Sequence, residues 1–240
     1  MLVDTSSRSN AAELMDNFDL KGEILIDALN KIAKINQLLG GNQITIKGIK
    51  ELIKNHKFNG PLKIADLGCG NGDMLRKVKA FALKQGLSVE LTGIDANPFT
   101  IEQAKKQSAG DPDIRYKTID IFEQTEQADE YDVILCTLTL HHFKDHEILL
   151  LLHRLHQQSH LGIVINDLHR SKIAYYLFKV ICFLFQLNEM SRQDGLTSIL
   201  RGFKRKDLEL FSVKLGIKTY LIKWKWAFRY QWIIRTYEQR

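Results

Sequence analysis

The chain is poor in cysteine and proline. Of its 240 residues, three are cysteines and three are prolines. No CxxC pair or Cys/His cluster has the spacing of a metal site, so the sequence predicts free thiols and no bound metal. Unpaired cysteines are typical of a reducing compartment, which favours a cytoplasmic protein.

The chain also lacks a long uninterrupted apolar run. Its first ten residues contain no apolar core of the kind found in signal peptides. The longest apolar stretch, residues 173–187, is interrupted by Lys179 and is shorter than the roughly 20 residues that span a bilayer. These two features predict a soluble globular protein rather than an integral membrane protein.

The net charge of +6 is distributed unevenly along the chain. Residues 201–240 contain eleven Lys or Arg residues and three Asp or Glu residues. A basic segment of this kind predicts an anionic partner, such as nucleic acid, a membrane surface or an acidic substrate. The alternative is a solvated face whose lysines and arginines have no specific partner, because the charges are spread out rather than clustered.

Strand and helix patterns alternate from residue 62 to residue 167. Short apolar runs predict strands, and apolar residues with a 3.6-residue period predict the helices between them. The predicted strands are 62–67, 87–94, 114–119, 131–137 and 161–165, and the helices between them are 73–85, 98–107 and 145–158. A short acidic loop is predicted before the fourth strand. Such alternation is typical of an α/β fold with a parallel sheet covered by helices on both faces.

The segments on either side of this alternation have different patterns. Residues 1–12 are predicted to be disordered, and helices are predicted at 21–39 and 44–56, which makes 1–60 a helical extension that caps the site. After residue 167 the pattern predicts a helix at 171–187, a loop at 190–202, a helix at 205–215 and a hairpin at 218–234. We expect Trp224, Trp226 and Trp232 of this hairpin to pack on the sheet. The main domain would therefore span 61–240, with a helical insertion at about 170–203.

Three glycines at alternate positions, Gly68, Gly70 and Gly72, follow the first predicted strand. Glycine adopts positive φ without strain and lets the backbone approach a ligand closely. A sharp turn from strand to helix can then direct helix N–H groups and a strand-end carboxylate at one small molecule. We therefore interpret this turn as the floor of a cofactor site.

Carboxylates lie at the ends of four predicted strands, namely Asp66, Asp95, Asp120 and Asp167, while Asp73 lies beside the glycine turn. Ligands of open α/β sheets bind beyond these strand ends. A carboxylate at the helix start disfavours a pyrophosphate, and the turn has neither the GxGxxG nor the Walker spacing. A cofactor with an amino-acid head, a sulfonium and an adenosine fits these carboxylates better.

Four segments carry a resemblance to a known family: Asp66-Leu-Gly-Cys-Gly-Asn-Gly72, Gly93-Ile-Asp95, Thr118-Ile-Asp120-Ile and residues 131–142. In this order they resemble the class I S-adenosylmethionine-dependent methyltransferases over residues 62–167. The resemblance implies a Rossmann-like, seven-stranded and mostly parallel sheet with a terminal antiparallel hairpin. It also implies an N-terminal helical cap and an inserted helix after strand five.

The same resemblance implies S-adenosyl-L-methionine as the cofactor. Asp66 would hold its ammonium group, Asp95 its ribose hydroxyls and Asp120 its adenine amino group, while the Ile121 N–H would donate to the adenine ring. The complete set of implied cofactor residues is Asp66, Gly68, Cys69, Gly70, Asp95, Ala96, Asp120, Ile121 and Thr137.

Residues 35–41, 166–170 and 194–203 extend the resemblance to bacterial small-molecule methyltransferases. Some of these look like O-methyltransferases of polyketide or phenolic metabolites. The resemblance therefore implies an acceptor that is a small hydroxyl-bearing metabolite, hydrophobic or aromatic in character.

A hydroxyl acceptor must lose its proton, and histidine suits this task because its pKa is close to neutral. The candidates are His142, His169 and His141, with His142 and His169 ahead. Each also has a structural alternative, as a hydrogen-bonded core residue, a surface loop residue or a helix start. Strand four has no Asn-Pro-Pro-Tyr motif, which disfavours adenine or glutamine as acceptors.

Several alternatives remain open at the level of sequence. The basic C-terminal segment would suit an RNA or other nucleic-acid methyltransferase, although no RNA-binding motif accompanies it. A protein that binds S-adenosylmethionine without catalysis would also keep the glycine turn. The apolar segment 173–187 is interpreted as a core helix or as a lid for a hydrophobic acceptor that touches a membrane surface. The sequence makes no prediction of the oligomeric state.

Overall fold

The structure, a computed structural model, describes residues 3–122 and 129–236. Seven strands form a single sheet in the order β3-β2-β1-β4-β5-β7-β6. The strands β1 to β5 pair in parallel, whereas β7 is antiparallel to both β5 and β6. This arrangement confirms the predicted mostly parallel sheet with an antiparallel terminal hairpin.

The strands are β1 (Leu62–Leu67), β2 (Val89–Asp95), β3 (Ile114–Thr118), β4 (Tyr131–Thr137), β5 (Ser159–Leu168), β6 (Tyr220–Lys225) and β7 (Arg229–Arg235). The helices are α1 (Glu23–Leu38), α2 (Gly41–Ile53), α3 (Asp73–Gln85), α4 (Pro98–Gln107), α5 (Asp145–Gln158), α6 (Lys172–Leu184), α7 (Glu189–Arg201) and α8 (Arg205–Lys214). Two short 3-10 turns lie at Leu14–Asp16 and Leu140–His142. Most of the predicted acidic loop falls at 123–128, outside the described residues.

The core lies on both faces of the sheet. In β4, Ile134 and Cys136 pack into one apolar cluster with residues of α5 and α8, while Val133 and Leu135 pack into a second cluster with residues of α2 and α3. Successive side chains of a strand point to opposite faces, so the continuous apolar runs of the sequence are those of strands buried on both sides.

Helix α2 lies against this sheet rather than apart from it. Ile49 and Leu52 are fully buried in one of the two core clusters. A side chain at Gly48 would collide with Val164 of β5, so glycine allows the close approach of helix and strand. The division of the chain at residue 60 stays a prediction.

Two boundaries differ from the sequence predictions. Strand β5 continues to Leu168, so Asn166 and Asp167 lie within the strand and not after it. The extension is stabilised by β7, whose residues pair with 162–168 in antiparallel register. Helix α2 begins at Gly41, directly after Gly40 in the left-handed conformation, and not at residue 44.

The prediction of disorder for residues 1–12 is wrong for residues 3–12, and the predicted loop at 190–202 is also wrong. The latter segment forms α7. The Ser9 N–H donates to the Leu200 carbonyl at 3.0 Å, and the Arg8 Nε–H donates to the Arg201 carbonyl at 2.8 Å. The two mispredicted segments therefore stabilise each other through contacts between distant parts of the chain.

The three tryptophans of the hairpin do not share one environment. Trp232 is fully buried in the core, as predicted, but Trp224 and Trp226 are 47% and 63% exposed. The prediction that all three pack on the sheet is therefore wrong for two of them, because they lie at the end of the hairpin beyond the edge of the core. Within 3–122 and 129–236, no helix is long and apolar enough to cross a membrane.

Candidate functional site

The glycine turn between β1 and α3 has a left-handed backbone at Gly68, Gly70 and Gly72, with φ of 67°, 52° and 77°. A side chain at Gly68 would collide with Thr139, and one at Gly72 would collide with Tyr116. A Cβ at Gly70 would instead have only Leu29 near it, at 3.7 Å. Gly70 therefore leaves its backbone open to the space above the turn.

That space is a cavity of about 1380 Å³ at the carboxyl ends of the parallel strands. All nine predicted cofactor residues and all three candidate histidines line it. The structure thus brings the predicted site residues together in one place. Their individual roles stay predictions.

Asp95 at the end of β2 holds the turn in place. Its Oδ2 accepts a hydrogen bond from the Gly70 N–H at 3.0 Å, and its Oδ1 accepts from the Asn97 N–H at 3.0 Å. At the end of β3, Asp120 Oδ1 accepts from the Phe122 N–H at 2.9 Å. These bonds fix the orientation of both carboxylates at the wall of the cavity.

Asp66 is the most buried carboxylate of the turn, with 2% of its surface exposed. Its Oδ1 has no hydrogen-bond partner among the described residues. Burial, together with the charges of Asp95 and Asp73, raises the pKa of Asp66 to about 8. A cationic ligand would supply the missing partner and restore the charged form of this carboxyl.

On the other side of the cavity, His141 is held by Asp167. His141 Nδ1 lies 2.7 Å from Asp167 Oδ1, and the His141 N–H donates to Asp167 Oδ2 at 3.2 Å. Burial by itself would raise the pKa of Asp167, but His141 and the backbone donors outweigh it and lower this pKa. The ionised carboxylate therefore keeps the proton of His141 on Nδ1 and leaves the Nε2 lone pair free.

His142 forms a second pair of this kind, since its Nδ1 lies 2.6 Å from Asp16 Oδ1. The two imidazole rings lie side by side, with centroids 4.3 Å apart. Burial would raise the pKa of Asp16, but the hydrogen bonds from His142 and Arg201 lower it. The side chain of His142 is 27% exposed, whereas that of His141 is 3% exposed.

Glu13 closes the space above the two histidines. Burial raises the pKa of this carboxyl to about 7, and Ser198 Oγ donates to its Oε2 at 2.7 Å. Its Oε1 has no hydrogen-bond partner and lies 4.0 Å from His141 Nε2.

Glu13, His141 and His142 each offer a metal-ligating atom, and these three atoms lie within 4.8 Å of one another. Arg201 Nη1 lies 3.5 Å from Glu13 Oε1 and balances the charge of this carboxylate when it is ionised. The absence of a bound metal stays a prediction from the sequence.

His169 makes a different contact. The indole N–H of Trp224 lies 3.2 Å from His169 Nδ1. Indole nitrogen only donates, so Nδ1 must be the unprotonated nitrogen and the proton of neutral His169 sits on Nε2. Burial, followed by the charges of Lys204 and Arg170, lowers the pKa of this imidazole.

Glu13 and Asp16 belong to a segment that we call the N-terminal strap, residues 3–16. The strap lies across α7, where Asp194 accepts from the Leu14 and Met15 N–H groups at 2.8 and 3.0 Å. Arg201 Nη1 donates to Asp16 Oδ2 at 2.6 Å.

The sequence analysis did not predict Glu13 and Asp16, or their partners on α7, as residues of the site. A usable signal was the spacing of Asp194, Ser198 and Arg201, which lie four and three residues apart and so share one face of a helix.

Comparison with known proteins identifies this architecture. Residues 64–162 match a family model described as a methyltransferase domain. The chain is 32% identical over 154 residues to the ubiquinone biosynthesis O-methyltransferase of Rickettsia typhi. That match covers 63% of this chain and 59% of the relative, so the chain spans less than two thirds of the length of the curated relative it matches.

Solved structures show the same fold over most of the chain. The plantazolicin methyltransferase BpumL in complex with SAH is 20% identical, covers 88% of both chains and gives a TM-score of 0.65. Human N-acetylserotonin methyltransferase in complex with SAM is 13% identical, covers 89% of this chain and 56% of the other, and gives a TM-score of 0.61.

Residues 64–162 are therefore similar to a methyltransferase domain, and the chain shares the fold of solved methyltransferases that bind S-adenosylmethionine or its product. Two features of the cavity fit S-adenosylmethionine, the cofactor of these solved methyltransferases. The unpartnered Oδ1 of buried Asp66 is positioned for an ammonium group, and the open backbone of Gly70 leaves room for a ligand above the turn. The residues of the donor side are therefore compatible with S-adenosylmethionine.

Proposed function

We propose that the protein binds S-adenosylmethionine at the glycine turn and transfers its methyl group to a hydroxyl of a small, hydrophobic or aromatic metabolite. The observation that carries this proposal is the His141–Asp167 pair, which lies in the wall of the cavity that the glycine turn also lines. A methyl donor and a base for a hydroxyl can thus be held in one cavity. The similarity to an O-methyltransferase at 32% identity supports the same reaction.

The contacts of the residues support a role for each of them. When bound, S-adenosylmethionine supplies a methyl group that its sulfonium makes electrophilic. His141 Nε2 takes the hydroxyl proton of the acceptor, and Asp167 stabilises the imidazolium that forms. The cavity walls align the acceptor oxygen with the methyl group and exclude water, which together contribute much of the rate of a displacement at carbon.

His141 is the proposed base in preference to the other two histidines. His169 offers no free lone pair, because Trp224 donates to its Nδ1 and its proton lies on Nε2. His142 is oriented by Asp16, but Arg201 shares that carboxylate at 2.6 Å and reduces its effect on the imidazole. Asp167 accepts hydrogen bonds from His141 and from the Leu168 N–H, and no arginine donates to it among the described residues, so His141 does not share this carboxylate with a guanidinium hydrogen bond.

The test is transfer of isotopically labelled methyl from S-adenosylmethionine to a metabolite extract of the host, read by mass spectrometry. The expected product carries the label on an oxygen of a small apolar compound. Label found in RNA would instead support a nucleic-acid methyltransferase. Cofactor binding without any labelled product would support a non-catalytic binding protein, and either outcome contradicts the proposal.

We expect cofactor affinity to depend on the ionisation of Asp66. The pKa of about 8 lies above the ordinary 3.8, so the folded protein retains this proton between the two values while the unfolded chain releases it. Stability without ligand therefore falls as pH rises through this window. The affinity for S-adenosylhomocysteine, by contrast, increases as pH rises, because the ammonium group of this ligand pairs with the ionised form of Asp66.

Calorimetry at pH 7 in buffers of different ionisation enthalpy should show release of a proton when S-adenosylhomocysteine binds. The Asp66→Asn variant should bind this ligand more weakly and should release no proton on binding. Its free energy of unfolding should also lose the decrease that Asp66 causes between pH 3.8 and about 8. Binding by the wild-type protein with no proton release would contradict this role of Asp66.

We further propose that the acceptor reaches the site along α6, at a lipid surface. Five large apolar residues of this helix are exposed on one side: Ile173, Leu177, Val180, Phe183 and Leu184. Leu177 and Val180 also line the cavity, so the exposed apolar surface continues into the site. Lys172 and Lys179 are exposed on the same helix and suit anionic headgroups.

Phe183, which is 83% exposed, offers a direct test of this surface. Phe183→Asp is expected to reduce co-sedimentation with phosphatidylcholine–phosphatidylglycerol vesicles by about 10-fold or more, because insertion of a large apolar side chain contributes about 1.5–3 kcal/mol. Val213→Asp on α8 is a matched control, since Val213 is 74% exposed on another helix. Equal vesicle binding by both variants would contradict a membrane contact through α6.

A further inference from the structure

The cavity contains a buried arginine without a partner. Arg229, the first residue of β7, is 4% exposed and lines the cavity. Its Nε and Nη1 have no hydrogen-bond partner among the described residues. A buried guanidinium with unpaired donors is costly, because neither water nor protein replaces the hydration that it loses on folding.

Three other buried or half-buried arginines line the same cavity, and each is fully engaged. Arg8 donates to three carbonyls and pairs with Asp145. Arg170 donates to the carbonyls of Thr5 and Gly202 and pairs with Asp207. Arg201 is held by the strap and by the carbonyls of the two histidines. Arg229 is therefore the exception among the arginines of the described cavity wall.

The nearby carboxylate of Asp167 does not accept a hydrogen bond from Arg229. Burial lowers the pKa of Arg229 to about 10, and the nearby charge of Asp167 opposes this shift. The Asp167 carboxylate is, however, already bonded to His141 and to the Leu168 N–H, and no ion pair joins it to Arg229 in the described chain. Arg229 thus remains a cation at neutral pH with unpaired donors.

Arg229 lies in a polar corner of the cavity wall, packed against the start of α2. Gly41, at the start of α2, lies between Arg229 and Asn36, and a Cβ there would lie 3.1 Å from the Arg229 Cζ and would collide with Asn36. The Asn36 Oδ1 is also buried without a partner, and Asn36 and Asn42 line the cavity as well. Glycine at residue 41 therefore lets Asn36 and Arg229 pack closely against the backbone of α2, and both side chains face the cavity with unpaired polar atoms.

We propose that Arg229 binds a carboxylate in the cavity, supplied either by the α-carboxylate of the cofactor or by an acidic group of the methyl acceptor. This inference rests on the proposed function, because it assumes that the cavity holds these two ligands. A carboxylate is the group that best satisfies a guanidinium, since it accepts charge-assisted hydrogen bonds from its N–H donors. The remaining wall of the donor side is acidic, so this corner is the complementary site for an anion.

The experiment compares ligands that differ in the carboxylate alone. S-adenosylhomocysteine and its decarboxylated analogue are titrated calorimetrically into the wild-type protein, Arg229→Met and Arg229→Lys. Para-hydroxybenzoate and para-hydroxybenzamide are then titrated into the same proteins saturated with S-adenosylhomocysteine. Arg115→Met, which removes an exposed guanidinium from β3 outside the cavity, is the matched control.

If the cofactor supplies the carboxylate, Arg229→Met weakens S-adenosylhomocysteine by about 10- to 100-fold and leaves the decarboxylated analogue unchanged. If the acceptor supplies it, the wild-type protein prefers the benzoate to the benzamide, and Arg229→Met removes that preference. Arg229→Lys keeps part of the selectivity in either case, and Arg115→Met keeps all of it.

Unchanged S-adenosylhomocysteine affinity in Arg229→Met, with no preference of the wild-type protein for the benzoate, overturns the proposal. Thermal unfolding provides a second readout: removal of an unpaired cation leaves the midpoint unchanged or raises it. A lower midpoint together with unchanged ligand selectivity would assign Arg229 a purely structural role. Label transfer by the wild-type protein is measured separately, so failure of this inference and failure of the proposed function can be told apart.

Discussion

Replacing His141 with alanine is expected to lower kcat by about 10²- to 10⁴-fold, the usual contribution of a positioned base. The affinity for S-adenosylhomocysteine should stay within a factor of about two, because the cofactor residues at the glycine turn are untouched. The physical reason is that Asp167 holds the proton of His141 on Nδ1 and leaves Nε2 as the free base. The measurements are single-turnover methyl transfer and calorimetric binding on the same protein.

Two further variants sharpen this prediction. Asp167→Asn keeps the shape of the partner but removes its charge, so it should also lower kcat and should shift the acidic limb of the pH profile, whereas a merely structural Asp167 would leave that limb in place. His153→Ala, at an exposed position of α5, is the matched control and should retain full activity. Full turnover in His141→Ala, with the large loss in His142→Ala, would reassign the base to His142. Full turnover in His141→Ala, His142→Ala and His169→Ala alike would contradict base catalysis altogether.

Replacing Arg201 with methionine is expected to lower the free energy of unfolding by about 3–5 kcal/mol, the typical cost of breaking a buried ion pair by removing one partner. Arg201 is 7% exposed, pairs with Asp16 and donates to the carbonyls of both His141 and His142. Its loss removes the guanidinium that pairs with Asp16 at 2.6 Å and lies 3.5 Å from Glu13. Urea unfolding measures the change in free energy.

The same variant should release the N-terminal strap, which amide hydrogen exchange over residues 3–16 would detect as lost protection. Arg205→Met is the matched control, because Arg205 pairs with Glu209 at the surface four residues along α8. An exposed pair of this kind contributes about 1 kcal/mol or less. Unaltered exchange of the strap in Arg201→Met would contradict the idea that this arginine holds it over the histidines.

Much of the sheet could be predicted because its signals are local. The apolar runs of β1 and β4 and the helical period of α3 each lie within a few consecutive residues. The glycines at 68, 70 and 72 are required by the left-handed backbone of a single turn. The order of the elements then follows from the handedness and adjacency of strand–helix–strand units.

The errors occur where distant parts of the chain supply the stabilisation. Strand β5 extends to Leu168 because β7 pairs with it, from a position more than sixty residues later. Residues 3–12 and α7 have weak patterns of their own, and each is ordered by polar contacts with the other. Local propensity says little about such segments, since tertiary contacts override it.

The sequence by itself predicted the residues of the proposed donor side, which the structure brings to one cavity. The glycine turn and the carboxylates Asp66, Asp95 and Asp120 each belong to a short local motif at the end of a predicted strand, which makes them visible in the sequence. The residues of the proposed acceptor side are brought together only by the tertiary structure. His142 meets Asp16 across 126 residues, His141 meets Asp167 across 26, and Arg229 remains unpaired because the fold buries it there. Charge pairing and burial depend on which segments pack together, and that is a property of the folded chain.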